Sequence, residues 1–405
     1  MRRGLFGAFV FGLILTAFGG LVFAQETPAE EQPAAEEETY ALPTTVGEIT
    51  VTAQKREEDI QDVPVSVSTL RGGDLEVITT GGADVRALSG RVPSLVMESS
   101  FGRAFPRFYI RGLGNTDFDL NASQPVSMVV DEVVLENPVV NGMPLFDLDR
   151  VEVLRGPQGT LFGRNTPAGI VKFETVKPSQ EFDAFVRASY GTYSTTDIQA
   201  AVGGGLGGGW SARFSGLYQS RSNWVNNNHD PGDDLGGYET AAYRLQLLWE
   251  PNDKFSGLLK VHGWEVSDGT ARIFRANVFN AGSSDLVDGF EQDQVWLNGL
   301  NTQEITSRGG LLRLEYDFGS ATLTSITGYE GIRDMYSRGD IDGGTDDGPG
   351  FIPFQSESAG AMPKLDQWTQ EFRLASNGGG AWNWLAGFFY FNEEVLIDNF
   401  GYASV

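Results

Sequence analysis

From residue 181 onward the chain keeps a period of two, and that pattern excludes most folds. One face of the first segment reads Phe182, Ala184, Val186, Ala188, Tyr190; the other reads Asp183, Phe185, Arg187, Ser189. Trp210, Ala212, Phe214, Gly216 and Tyr218 oppose Ser211, Arg213, Ser215 and Gln219. Tyr243, Leu245, Leu247 and Trp249 oppose Arg244, Gln246 and Glu250. Leu312, Leu314 and Tyr316 oppose Arg313, Glu315 and Asp317, and Trp382, Trp384, Ala386, Phe388 and Tyr390 continue the series. Alternation of this kind is the signature of strands. Apolar residues on one face and Arg, Glu and Gln on the other suit a lipid-facing wall around a wet lumen. A soluble sandwich alternates as well.

The connections separate the two. Short ones lie at Gly203 to Gly209, Pro251-Asn252-Asp253, Phe318-Gly319-Ser320 and Asn377 to Gly380. Long ones lie at 222–238, 265–307 and 331–367, and only the first connection, around Thr192, breaks the alternation. Outer-membrane barrels have short turns at one end and long loops at the other, whereas a sandwich has no reason to sort its loops by end. The sequence therefore predicts an antiparallel transmembrane β-barrel over 179–405. Roughly nine strands are present, short of the about 22 of plugged outer-membrane transporters. An open edge in lipid would strand backbone polar groups at several kcal/mol each. The expectation is a truncated chain, or one whose wall another chain completes.

Composition agrees. The 52 glycines and 12% aromatics suit twisted strands, tight turns and aromatic girdles. A net charge of −25 argues against nucleic acid, and the lack of cysteine excludes disulfides, thiolate zinc sites and thiol nucleophiles. Residues 1–24 read as a signal peptide: Arg2 and Arg3, an apolar core from Leu5 to Phe18, and small residues before the cleavage position at Val22-Phe23-Ala24. The alternative is an anchor helix. Past residue 24 no apolar run reaches the roughly 18 residues of a membrane helix.

Residues 25–47 are acidic, rich in Pro and Ala, and read as a disordered linker. Extended, they reach roughly 75 Å. The run Glu48, Ile49, Thr50, Val51, Thr52, Ala53 is a short strand-former between disorder and a charged stretch. Its place suits pairing with another protein's sheet edge. Residues 55–178 read as a small α/β domain. Val63 to Val67 is a strand candidate, and Asp74 and Asp84 are candidate helix caps, the second helix ending at Gly90. Further strands are expected at 107–111, 126–135, 150–154 and 169–176.

The segment from Arg150 to Pro178, RVEVLRGPQGTLFGRNTPAGIVKFETVKP, strongly resembles the end of the plug domain of TonB-dependent outer-membrane receptors. Phe108 to Asn115, with Arg111 and Gly112, resembles the plug's earlier strand; Val129-Val130-Asp131 and Leu148-Asp149-Arg150 fit the strand pair between them. Residues 48–54 look like the family's TonB box. Glu132 stands where the family usually has Gly, and Pro167 interrupts a small-residue run. The resemblance implies an α/β plug inside a barrel that takes up a scarce solute, foremost a ferric siderophore. Cobalamin, haem and oligosaccharides stay open. The implied partners are the inner-membrane TonB complex, outer-membrane lipid and a small-molecule ligand such as an iron chelate, with no cofactor.

Within the plug motif, Arg150, Glu152, Arg155, Gly156, Pro157, Gly159, Gly163, Asn165 and Gly169 are the candidate site residues, together with Arg111, Gly112 and Asp131. The glycines suit turns with positive φ and close chain approach, and Pro157 stiffens the turn after Arg155. Arg111 and Arg155 are expected to lock the plug to barrel carboxylates. No catalytic motif stands out. His229 and His262 are isolated in sequence. Asp340, Asp342, Asp346 and Asp347 suit either Ca²⁺ or a solvated loop tip, as do Asp268, Asp285 and Asp288. A signal-transducing receptor is disfavoured, because a short linker stands where that function would need an extra folded domain.

Overall fold

In the computed structural model the described residues run from 50 to 404, apart from 53, 57, 100, 118, 165, 231, 276–277, 345–355 and 379–381. The signal and linker segments, Glu48, Ile49, Ala53, Asn165, Asp346 and Asp347 therefore lie outside them.

The N-terminal part is the expected α/β unit. Strands β1 (Thr50–Val51) and β2 (Glu58–Asp59) form a small ribbon, followed by β3 (Ser66–Arg71) and helix α1 (Gly72–Thr79). A hairpin of β4 (Leu95–Glu98) and β5 (Arg107–Ile110) follows. Next come β6 (Val126–Val130), β7 (Val133–Leu135), β8 (Leu148–Arg155), the short helix α2 (Gly159–Phe162) and β9 (Gly169–Thr175). The main sheet runs β3-β8-β9-β6-β7, with β6 and β9 parallel and the other pairs antiparallel.

Several boundaries differ from the sequence reading. The strand expected at Val63 to Val67 begins at Ser66, after Pro64. Asp74 sits inside the first turn of α1 and does not cap it, whereas the Asp84 carboxylate accepts from the Arg86 N–H and caps a 3₁₀ turn. The span 126–135 is two strands, because Asp131 and Glu132 both take positive φ, 46° and 75°, and turn the chain into a hairpin.

The wall comprises β10 (Asp183–Gly191), β11 (Thr195–Gly207), β12 (Trp210–Arg221), β14 (Tyr238–Asn252), β15 (Phe255–Gly269), β17 (Thr302–Asp317), β18 (Ala321–Asp340), β19 (Ser356–Ser376) and β20 (Leu385–Ser404). These nine strands form one antiparallel sheet in chain order, not closed among the described residues. Two short strands, β13 (Asn226–Asn227) and β16 (Gln294–Val295), pair in parallel and knit two long loops together. No helix among the described residues is long and apolar enough to cross a membrane.

The faces fall as the alternation requires. Leu245, Leu259, Val261, Leu312, Tyr316, Trp368 and Phe372 point outward and are exposed, while Ser211, Arg213, Ser215, Gln219, Arg244, Gln246 and Lys260 point inward and are buried. The lumen, however, is packed. Plug residues such as Phe105, Phe108, Val126 and Val130 share one apolar core with Leu217, Trp264, Leu311, Ile326 and Met362 of the wall. The expected wet interior is thus a mixed seam of apolar and charged contacts.

The connections also shift. Gly203 to Gly205 lie within β11, and the turn is confined to 208–209. The loop expected at 331–367 shrinks to 341–355, because β18 and β19 continue as polar strands past the apolar band. Short turns still gather at one end of the wall, with the long connections 222–237, 270–301 and 341–355 at the other.

Candidate energy-coupling site and outer basin

At the turn end of the wall, the described box residues, Thr50 to Thr52, are docked on the plug. Thr50 and Val51 pair with Asp59 and Glu58, and the Thr50 carbonyl accepts from the Arg71 guanidinium at 2.7 Å. Val51 is fully buried, in a cluster with Val63, Val129, Val134, Leu154, Phe162 and Ile170. The Thr52 N–H donates to the buried Glu152 carboxylate at 3.1 Å, and the Lys172 ammonium donates to the Thr52 hydroxyl. The described box residues Thr50, Val51 and Thr52 are thus packed on the plug and not free to pair with another protein's sheet edge. An apolar β-branched side chain beside a sheet with a matching cavity is more stable buried.

Two side chains beyond the box tie this segment to the wall. The Arg56 guanidinium donates to the Trp384 carbonyl at 2.7 Å. The Lys55 ammonium lies over the Phe162 ring and pairs with Glu371 of β19. Burial pulls the Lys55 pKa below its ordinary value, although Glu371 beside it favours the charged form.

Three plug carboxylates form the main clamps. Asp131 accepts from the Thr175 N–H at 2.8 Å and from the Lys260 ammonium at 2.6 Å. Burial pushes its pKa up, but Lys260 and Arg244 more than offset that and hold it well below the usual carboxylate range. Glu132 meets Arg313 at 3.0 Å and Arg373 at 2.7 Å. Its burial is likewise outweighed by Arg373 and Arg313, which bring it to about 2. Asp147 accepts two bonds from the Arg213 guanidinium at 2.8 and 2.6 Å, and one from the Ser215 hydroxyl. Arg244 lies on the Phe146 ring, 4.4 Å away, and donates to the Phe146 and Asp147 carbonyls.

At the loop end, a basin of about 700 Å³ lies between the plug apex and the outer ends of β12, β14 and β15. Asp84, Arg86, Arg103, Arg221, Trp224 and Tyr238 line much of it. The segment from Thr50 to Thr52 and the basin thus occupy opposite ends of one plug, with the clamps between them.

The model of the TonB-dependent receptor plug domain matches residues 59–170. Residues 59–170 therefore carry a plug domain of the TonB-dependent receptor type. The chain is similar to the vitamin B12 transporter BtuB of Vibrio vulnificus, 23% identical over 54% of this chain and 35% of that transporter. In fold it is similar to the ferric yersiniabactin uptake receptor FyuA from Yersinia pestis, with a TM-score of 0.67, 18% identity, and coverage of 81% of this chain and 48% of FyuA. BauA, the ferric preacinetobactin receptor from Acinetobacter baumannii, gives a TM-score of 0.63 at 17% identity, over 86% of this chain and 52% of BauA. The chain spans about a third of the curated transporter and about half of these structures. Among the described residues it combines a plug domain with nine strands of barrel wall.

The predicted motif residues of this receptor are scattered in role. Gly112, Gly156, Gly163 and Gly169 all take positive φ. A Cβ at Gly169 would lie 2.2 Å from the Leu154 carbonyl oxygen, and one at Gly159 would lie 2.7 Å from that of Arg164. Pro157 sits exposed in the turn before α2. Arg150 pairs with Asp149 at 2.5 Å and with Glu152 at 2.8 Å, so it supports the box.

The lock expected of Arg111 and Arg155 is not made among the described residues. Arg155 donates to the Ser66 and Ser68 hydroxyls inside the plug, and exposed Arg111 makes no ion pair among the described residues. The three main clamps have the opposite polarity, plug carboxylate to wall cation, whereas Lys55 and Glu371 pair a plug-side cation with a wall carboxylate. Sequence reasoning placed Arg213, Arg244 and Arg313 on the inward face but missed Lys55, Glu132 and Asp147 as their counterparts or neighbours. His262 pairs with Glu330 at 2.9 Å, and the described residues hold no group of three or more metal-ligating side chains. Asp340 accepts from the Asp342 and Gly343 N–H groups, so it closes a turn at the base of its loop.

Proposed function

We propose that this chain is the gate of a TonB-dependent active transporter, importing a scarce solute of the iron-chelate class across the outer membrane. The docked box carries the reading. A strand-former held on the plug by Glu152 and Lys172, and on the wall by Lys55, is placed where a periplasmic pull would act first. The pulling partner is the inner-membrane TonB complex, and the surrounding solvent of the wall is outer-membrane lipid. Relatives named as uptake receptors for ferric yersiniabactin and ferric preacinetobactin support the iron-chelate class, and the likeness to a vitamin B12 transporter keeps cobalamin as the second candidate.

Deleting residues 48–53 in the native gene and measuring energised uptake of ferric chelates tests the coupling. Uptake should fall to the level of de-energised cells while solute binding persists. Uptake that survives the deletion removes the box from the mechanism.

A further inference from the structure

The outer basin carries a charge that the transport reading does not use. Its charged lining is Asp84, Arg86, Arg103, Arg221 and Arg272, four cations against one anion, or +3. Asp84 is spent on Arg86 at 2.5 Å. Arg103 and Arg221 flank the Tyr238 ring, with guanidinium carbons 3.9 and 5.7 Å from its centroid. Their hydrogen-bond partners are neutral, and Asp84 is a carboxylate neighbour of Arg103 already bonded to Arg86. Arg221 donates to the Thr195 hydroxyl at 3.0 Å; Arg103 donates to the Gly82 carbonyl at 3.0 Å and the Gln219 side-chain carbonyl at 2.8 Å. The chain as a whole has a net charge of −25. Screening over about 8–10 Å at physiological salt lets the local cations set the potential inside the basin.

Arg103 is also a strap. Gly82, at φ +78°, has no room for a side chain, since a Cβ would lie 2.2 Å from the Tyr238 hydroxyl. Its carbonyl accepts from Arg103 and from that hydroxyl at 2.9 Å, and its N–H donates to Asp197 of β11 at 2.8 Å. Gln219 of β12 accepts from Arg103 and donates to Asp197 at 2.9 Å. One guanidinium therefore joins two plug loops to β12 through neutral acceptors, and both acceptor residues are tied in turn to Asp197 of β11. A bond to an anionic oxygen is about twice as strong as a bond to a neutral one. An anion in the basin outcompetes both acceptors.

We infer that Arg103 and Arg221 form an anion subsite for a polyanionic solute, and that occupancy draws Arg103 away from Gly82 and Gln219, loosening the plug apex. The inference rests on the uptake reading and names the charge class of its solute.

The test uses de-energised outer membranes of the native host, with variants placed in the native gene. The probes are ferric tris(2,3-dihydroxybenzoate), a trianionic chelate, and a cationic ferric tris-hydroxamate. The anionic probe should bind the more tightly, and Arg221→Gln should weaken it about tenfold or more without weakening the cationic one. The chain has no cysteine. Ala83→Cys, beside Gly82, should react faster with a maleimide once the anionic probe is bound. With Arg103→Met added, labelling should be fast from the start and indifferent to the probe. If Arg103→Met fails to assemble, Arg221→Gln and the labelling of Ala83→Cys alone still decide. Preferred binding of the cationic chelate overturns the inference and leaves the uptake reading standing. Anion binding with unchanged or slower Ala83→Cys labelling also overturns it. Binding of neither probe overturns it together with the iron-chelate reading.

Discussion

Lys55, three residues beyond Thr52, forms a buried ion pair with Glu371 of the wall, their side chains only 4% and 10% exposed. Glu371 also accepts from Arg373 at 3.1 Å, and Arg373 in turn holds Glu132 of the plug hairpin. Under the proposed reading, a pull on this segment would reach the Glu132 clamp through alternating charges. Extracting Lys55 leaves Glu371 to Arg373 alone and weakens the hold of Arg373 on Glu132.

Replacing Lys55 by Met should therefore release the box without any pull. Breaking a buried pair from one side costs about 3–5 kcal/mol. Only part of that falls on local undocking, so maleimide labelling of a Thr50→Cys reporter should rise by roughly tenfold or more. Glu371→Gln should act in the same direction. Labelling that stays at the parental rate in both variants would dismiss the latch.

The Glu132 clamp sets an acid limit. Its carboxyl falls from an ordinary 4.5 to about 2 in the folded protein. A depressed folded pKa gives stability that is complete above about 4.5 and is lost as pH falls through about 2. The difference corresponds to about 3 kcal/mol. Plug unfolding by urea should therefore become easier between pH 4.5 and 2, and Glu132→Gln should flatten that dependence. An unaltered slope in the variant would assign the acid response to other groups, Asp131 first among them.

Asp147 and Arg213 make the most enclosed clamp, with side chains 2% and 4% exposed. Arg213→Ala leaves the Asp147 carboxylate with the Ser215 hydroxyl as its hydrogen-bond donor and Arg244 as the remaining nearby cation. Anchorage should drop by about 3–5 kcal/mol, and the double change to Asp147→Asn with Arg213→Ala should cost less than the two single changes together. Sensitivity to large antibiotics, read as passive leakage, is the measurement. Additive single effects would show that the pair is not coupled.

Much of this arrangement was legible before any coordinates. The wall could be read because lipid on one side and a plug on the other impose opposite chemistry on successive residues, as in Ser211 to Tyr218. The outer halves of β18 and β19 could not, because beyond the apolar band both faces are polar. Alternation also names a face and never a neighbour. It placed Arg213 and Arg313 inward but gave no sign that Asp147 and Glu132, a hundred or more residues away in places, would meet them. Glu132 was visible only as a residue standing where glycine is usual, and its left-handed turn is what aims the carboxylate at the wall.

Gly169 and Gly112 separate two demands that sequence alone merges. Both take positive φ, +147° and +78°. A Cβ at Gly112 meets nothing within 4 Å, so Gly112→Ala should cost only the backbone strain, about 1–2 kcal/mol. A Cβ at Gly169 would strike the Leu154 carbonyl at 2.2 Å and the Ile110 side chain at 2.9 Å. Overpacking adds to strain there, for about 3 kcal/mol or more, and it falls where β8, β9 and β6 meet. Gly169→Ala should therefore sharply reduce receptor in the outer membrane and render the remainder protease-sensitive, while Gly112→Ala assembles near normally. Equal yields of the two variants would mean that backbone freedom, and not close approach, is what position 169 requires.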